Sequence, residues 1–231
     1  MNMDGSRKNT TKGRVVAIDG PAASGKSTTA RLLARTLGWL YLDTGAMYRA
    51  VTVKVLRENI PLDDSAAIGR LADSIHVELE PTTNGTKVFI DGEDVTRLIR
   101  TPEVDKAIGP VCEVPKVRTV MVQLQRRLAE GRNVVAEGRD VGTVVFPDAG
   151  IKIFMTATVD ERAARRKRDM EKQGLPVPIG ELRQELLERD RRDSTRENSP
   201  LCQAKDALLL DTSRMTVEEQ VQFIVKRLER P

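Results

Sequence analysis

The sequence predicts an α/β fold: a five-stranded parallel sheet with helices on both faces, plus a small antiparallel β insert and a helical flap. Three observations predict it. Short apolar runs at residues 15–18, 39–42, 133–136, 151–155 and 207–210 alternate with stretches of helical periodicity, the pattern of buried parallel strands joined by helices. Between residues 76 and 90 the texture changes to strict alternation on either side of Thr83-Asn84-Gly85-Thr86, where Asn-Gly signals a hairpin. From residue 161 to 196 charge is dense, and Gly174, Pro176, Pro178 and Gly180 separate two helical arms.

Each element has a local reason. A helix over residues 26–37 sets Ala30, Leu33, Ala34 and Leu37 on one stripe, and Gly38 is placed to cap it. After the second apolar run, Asp43-Thr44-Gly45 reads as a turn. The helix from Ala46 to about Arg57 then turns Met47, Ala50, Val51 and Val55 inward, with Met47 and Tyr48 read as packing residues. Pro61 breaks the chain, and Asp63 or Asp64 caps a helix with Ala67, Ile68, Leu71 and Ile75 on its face. His76 falls in the first strand of the insert as a surface residue. Thr101-Pro102-Glu103 starts one helix and Pro115 another, the latter burying Val117, Val120, Met121, Leu124 and Leu128 and ending at Gly131. The strand at 133–136 runs into Glu137-Gly138-Arg139-Asp140. Asp160 caps a helix to about Lys172, and Thr216-x-x-Glu219 is a capping box before the last helix.

Composition narrows the function. A chain of 231 residues suits one large domain, or one with an insert, and 39% hydrophobic against 3% aromatic content implies an aliphatic core. No apolar run approaches the ~18 residues of a membrane span. Residues 1–13 are polar without an apolar stretch, so they read as a disordered N-terminal tail ahead of a single domain over 14–231, in a cytoplasmic protein. Cys112, Cys202 and His76 form no ligand cluster, which disfavours zinc, and both cysteines are expected to be buried and reduced. The net charge is +4, with 38 basic against 34 acidic residues. Aromatics are nearly absent from the arginine-rich part, so small anionic substrates explain the arginines better than nucleic acid does. Nothing suggests a membrane or subunit interface, and a monomer is expected.

The first motif is GPAASGKST, residues 20–28, which fits G-x-x-x-x-G-K-[ST] between a strand and a helix. Gly20, Pro21, Ala22, Ala23, Ser24, Gly25, Lys26, Ser27 and Thr28 are therefore expected to wrap the phosphates of a nucleoside triphosphate. Backbone N–H groups and a helix N-terminus face the anion. Lys26 adds charge at the outer phosphates, and the Ser27 hydroxyl is a ligand for Mg²⁺. Phosphoryl transfer to a second anion needs fixed guanidinium forks on the acceptor side, and Arg49, about one helical turn beyond Asp43-Thr44, and Arg139, at a strand end, are placed for that.

The set DGPAASGKST, LDTGAMYR, DGEDVTRLIRTPEV, EGRDVGTVVFPDA, KIFMTA, ERDRRDSTR and LLLDTS resembles the bacterial cytidylate kinases, P-loop enzymes of the nucleoside monophosphate kinase group, from about Arg14 to the C-terminus. The resemblance implies ATP with Mg²⁺ as donor and CMP or dCMP as acceptor. It implies a monophosphate-binding insert at 60–110 and a LID-like flap at 161–200. Thr44 and Arg49 match contacts to the monophosphate; Thr101, Arg118 and Asp140 match groups that read cytosine; Arg139 matches a phosphate ligand. Arg189, Asp193 and Arg196 match flap residues, the aspartate one that meets the sugar hydroxyls. Lys26, Arg139, Arg189 and Arg196 would carry catalysis, with no general base. Thr44 and Thr101 stand where some relatives have serine. The run Arg165 to Arg168 reads as a solvated helix face, with either Arg162 or Arg166 as an arm over ATP. The competing readings are a kinase for UMP, AMP or shikimate and a nucleotide-dependent switch; the guanine motif N-K-x-D of a GTPase is absent from the sequence.

Overall fold

The computed structural model describes residues 13–82, 85–172 and 174–229. All but Gly13 of the expected tail, Thr83 and Asn84 of the expected hairpin turn, and Gln173 in the flap lie outside the described residues.

Strand β1 (Val15–Asp19) passes through the glycine-rich loop into helix α1 (Lys26–Leu37), which ends at Gly38 in the left-handed region. Strand β2 (Leu40–Asp43) runs directly into α2 (Thr44–Arg57). The expected turn at 43–45 is thus the helix start. Asp43 is the N-cap, and its carboxylate accepts from the Ala46 N–H at 2.8 Å. Helix α3 (Ser65–Ser74) is capped by Asp64. The insert is β3 (Val77–Thr82), β4 (Gly85–Ile90) and β5 (Glu93–Asp94), an antiparallel sheet with Val77 opposite Ile90. His76 precedes β3 rather than lying in it, exposed beside Glu78.

A 3-10 turn, Leu98–Arg100, leads into α4 (Pro102–Glu113) and α5 (Pro115–Ala129), each opened by its proline. Strand β6 (Val134–Gly138) is followed by a π-helical turn, Val141–Val145. Strand β7 (Ile151–Thr156), helices α6 (Val159–Lys172) and α7 (Ile179–Thr195), strand β8 (Leu208–Asp211) and helix α8 (Val217–Leu228) complete the chain. Asp160 sits inside the first turn of α6 and is not its cap. Both halves of the Thr216–Glu219 capping box are made.

The parallel sheet has the order β2–β6–β1–β7–β8. Strand alternation sends neighbouring residues to opposite faces. Val134 and Ala136 face a core with Leu42, Met47, Val51, Val117 and Met121 from the α2–α5 side, whereas Val135 joins Val16, Ile18, Leu33, Ile153 and Ile224 against α1 and α8. Each such fully buried aliphatic side chain contributes about 1.5–3 kcal/mol, which makes the sheet a rigid base for whatever its strand ends carry. The chain leaves β1 toward β2 on one side and later reaches β7 on the other, so the carboxyl end of β1 is a topological switch point. No described helix is long and apolar enough to cross a membrane. Cys112 is largely buried, but Cys202 is exposed, against expectation.

Candidate active site

A cleft of about 660 Å³ opens at that switch point. One end is the loop after β1. Gly20 has φ +149°, and a Cβ there would fall 2.0 Å from the Met155 carbonyl oxygen, so only glycine lets the loop turn against β7. Ala22, Ala23, Gly25, Lys26, Ser27 and Thr28 line the cleft. Gly20, Pro21 and Ser24 shape the loop from behind, with the Ser24 hydroxyl donating to the Pro21 carbonyl at 3.0 Å. The Lys26 ammonium donates to the same carbonyl at 2.7 Å. Burial, and then Arg139, push its pKa down to about 7, against the pull of Glu137 and Asp19. An anion beside it would favour the charged form.

Two buried carboxylates support this end, and the sequence reading passed over both. Asp19 accepts N–H bonds from Val141 at 2.8 Å and Gly142 at 2.7 Å, tying the phosphate loop to the π-helical turn. Glu137, in EGRD, accepts from the Tyr41 hydroxyl at 3.1 Å. Burial and then Asp43 raise its pKa, while Lys26 and the adjacent Ser27 hydroxyl oppose the rise. The signal in the sequence was an acidic residue at the end of each of two buried strands.

The opposite end is polar and enclosed. Arg118 is ion-paired with Asp140 and lies over the Tyr48 ring, 5.4 Å from its centroid. Asp140 both pairs with Arg118 and lines the cleft. The Tyr48 hydroxyl, Arg118 Nε and Arg196 Nη2 are buried without hydrogen-bond partners, and all three residues line the cleft. Tyr48 is therefore more than a packing residue. Thr44 lines the cleft and donates from its hydroxyl to the Glu137 carbonyl at 2.8 Å. Thr101 is not brought to this group: its hydroxyl donates to the Leu98 carbonyl at 3.0 Å, and it does not line the cleft.

The flap helices α6 and α7 form the roof. Arg139 Nε donates to Asp193 at 2.8 Å, joining the end of β6 to α7. Arg189 and Arg196 line the cleft, and burial followed by Arg139 lowers the pKa of Arg189 to about 10, which leaves it charged at neutral pH. Arg49 is paired with Asp105 and donates to the Ile99 carbonyl at 2.8 Å. The run at 165–168 is not a solvated face. Arg165 donates to the Ser24 carbonyl at 3.1 Å and the Thr212 carbonyl at 2.7 Å, and Arg166 to Asp105 at 2.9 Å; only Arg168 is strongly exposed. Of the two candidates for the ATP arm, Arg166 lines the cleft. Arg162 is buried, held by the Ala22 and Ala157 carbonyls and by both oxygens of Asp190.

Comparisons with known proteins agree with this geometry. The cytidylate kinase family profile matches residues 16–230. A cytidylate kinase of Pelotomaculum thermopropionicum is 51% identical over 214 residues, covering 92% of this chain and 95% of the relative. One of Carboxydothermus hydrogenoformans is 47% identical over 215 residues, covering 93% and 97%. A crystal structure of an uncharacterized protein from Eubacterium ventriosum shares the fold, with a TM-score of 0.53 at 14% identity over 94% of this chain and 99% of that one. With a phosphate loop at one end of the cleft, a buried arginine–aspartate pair at the other and relatives matched over nearly their full length, this chain belongs to the cytidylate kinase family.

Proposed function

We propose that the chain transfers the γ-phosphoryl group of ATP to CMP or dCMP, giving ADP and CDP or dCDP. The observation that carries this reading is one cleft with two unlike ends: Lys26 and the phosphate loop at one, and Arg118, Asp140 and Tyr48 at the other. Cytosine offers an N4 amino donor and N3 and O2 acceptors. The Asp140 carboxylate meets the first and the Arg118 guanidinium the second. Uracil reverses the pattern at N3 and position 4 and leaves buried groups unpaired, the costly kind of mismatch.

The acceptor phosphate is itself a nucleophile, so the protein supplies position and charge. Thr44, Arg49 and Arg139 hold the monophosphate, Asp193 meets the sugar hydroxyls, and Lys26, Arg189 and Arg196 gather on the phosphoryl group in flight. Residues 60–110 serve as the acceptor-side insert, and 161–200 close over both substrates.

The residues present fit Mg²⁺ arriving with ATP. The Ser27 hydroxyl lies beside the Glu137 carboxyl. Among the described residues no three His, Cys, Asp or Glu side chains group to hold a metal alone, which suits a cation bound largely by phosphate oxygens. Held beside Ser27 with ATP, the cation would supply positive charge against the phosphates.

The test is ADP production from ATP and Mg²⁺ with CMP, dCMP, UMP, AMP and shikimate in turn, using wild type and Asp140→Asn. Fast turnover with CMP or dCMP alone is expected. In the variant, kcat/KM for CMP should fall about 100-fold and the preference over UMP should shrink. Turnover with a different acceptor overturns the cytosine assignment, and no turnover with any overturns the kinase reading.

A further inference from the structure

One carboxylate stands between the acceptor-side arginine and the flap and has no part in the reaction just described. Asp105, in the first turn of α4, offers one oxygen to each of two guanidinium groups: Oδ1 to Nη2 of Arg49 on α2, and Oδ2 to Nη2 of Arg166 on α6, the latter at 2.9 Å. Arg49 and Arg166 line the cleft; Asp105 does not. Its carboxylate therefore acts from behind.

The geometry limits what Arg49 can do. A guanidinium carries five N–H groups. In Arg49 one Nη1–H is tied to the Ile99 carbonyl at 2.8 Å and one Nη2–H to Asp105. The remaining N–H groups are those left for the cleft. A free arginine side chain would lose its rotamer freedom only on meeting a phosphate, and this fixation imposes the loss beforehand. The three side chains are only 11%, 15% and 27% exposed for Arg49, Asp105 and Arg166, so solvent screens the triad less than a surface pair. Burial works against the charge of Asp105, yet Arg49 and then Arg166 hold its pKa below the usual carboxylate value. Arg189 in turn feels both Arg49 and Asp105.

Two further contacts bring the flap to the same wall. Arg139 meets Asp193, and the Arg192 guanidinium packs on Gly109, where a Cβ would fall 2.7 Å from its Nη1. The first already belongs to the substrate-facing set, and the second carries no charge partner on α4. Asp105 differs from both: it ties a flap arginine to an acceptor arginine without facing substrate.

Resting on the kinase reading, we propose that Asp105 is a positioning residue that holds Arg49 in its acceptor-phosphate orientation and, through Arg166, makes flap closure complete that orientation. Opening the flap withdraws Arg166 and leaves the carboxylate with one partner; closing it fixes the carboxylate between two. Acceptor binding and flap closure are thereby coupled through one side chain.

The test compares wild type, Asp105→Ala, Arg166→Ala and the double variant, with CMP and ATP varied separately. Wild-type turnover is measured first, with CMP or whichever acceptor the enzyme uses, since its absence sinks the kinase reading and this inference together. Asp105→Ala should raise the acceptor KM about tenfold and leave the ATP KM within about twofold. Arg166→Ala should lower kcat about fivefold in the wild-type background and less than about twofold in the Asp105→Ala background, the non-additivity of a coupled pair. Equal costs of Arg166→Ala in both backgrounds overturn the coupling. Equal rises in both KM values reduce Asp105 to a structural role. A lower acceptor KM in Asp105→Ala would mean that the carboxylate competes with the acceptor phosphate, and would also overturn the proposal. If Asp105→Ala does not fold, Asp105→Asn preserves the volume, removes the charge and carries the same expectations.

Discussion

Burial raises the pKa of Asp19 to about 6 from 3.8, although N–H bonds from Gly142 and Val141 oppose the rise. The folded state therefore holds this proton more tightly than the unfolded chain. The stability from this group is fully present below 3.8 and is lost as pH rises through about 6. At 1.36 kcal/mol per pKa unit, the loss is about 3 kcal/mol. Asp19→Asn removes the titration. The stability difference between variant and wild type should move in the variant's favour by up to about 3 kcal/mol between roughly pH 4 and 6.5. Urea unfolding at a series of pH values measures it, and a difference that stays constant with pH would show that Asp19 does not titrate in that range. Lys26 and Ser27 were legible in the sequence because their motif is contiguous. Asp19 and Arg165 were not: Asp19 takes its N–H bond from Val141, 122 residues away, and Arg165 gives one to Ser24, 141 residues away. No spacing rule reaches that far.

Elements with their own terminal signals were the easiest to read. The last helix begins where Thr216-x-x-Glu219 says it should, with the Thr216 hydroxyl accepting from the Glu219 N–H at 3.2 Å and the Glu219 carboxylate accepting from the Thr216 N–H at 2.8 Å. Thr216→Ala should cost about 1 kcal/mol, visible as a shift of the urea midpoint at unchanged slope; a loss below about 0.3 kcal/mol would mean that packing against α1, not the cap, sets the helix start. The start of α2 was misread because Gly45 suggested a turn. The Asp43 carboxylate caps the helix, and Arg100 holds its other oxygen at 2.7 Å. The first of these contacts is local, whereas the second joins residues 57 apart. The π-helical turn at Val141–Val145 has a similar cause: Asp19 holds its first N–H groups and Arg126 takes the carbonyls of Val144 and Val145 at 2.7 and 2.8 Å.

In the molecule as a whole, polar contacts tie the flap to the rest, among them the ion pairs Arg139–Asp193 and Arg166–Asp105 and the bonds from Arg162 and Arg165 to the Ala22 and Ser24 carbonyls. Such contacts are directional and can be exchanged for contacts to water or substrate, so the flap is suited to open and close around substrates. Amide exchange over α6 and α7 should slow at least about fivefold when a bisubstrate analogue spans both ends of the cleft. Equal exchange with and without the analogue would remove flap closure from the mechanism.

Sequence alone determined the class of sheet, the nucleotide loop, the antiparallel insert and the arginine-rich flap, because apolar periodicity, caps and contiguous motifs act over a few residues at a time. It also singled out Arg118 and Asp140 through the resemblance they carry. Tertiary structure alone decided which arginines face the cleft and which are held by protein partners. Arg162, Arg165 and Arg166 lie within five positions on one helix, yet one is buried against Asp190, one is bonded to the phosphate loop and one reaches Asp105. A guanidinium is defined by the acceptors around it, and here those acceptors come from distant segments that only the fold brings together.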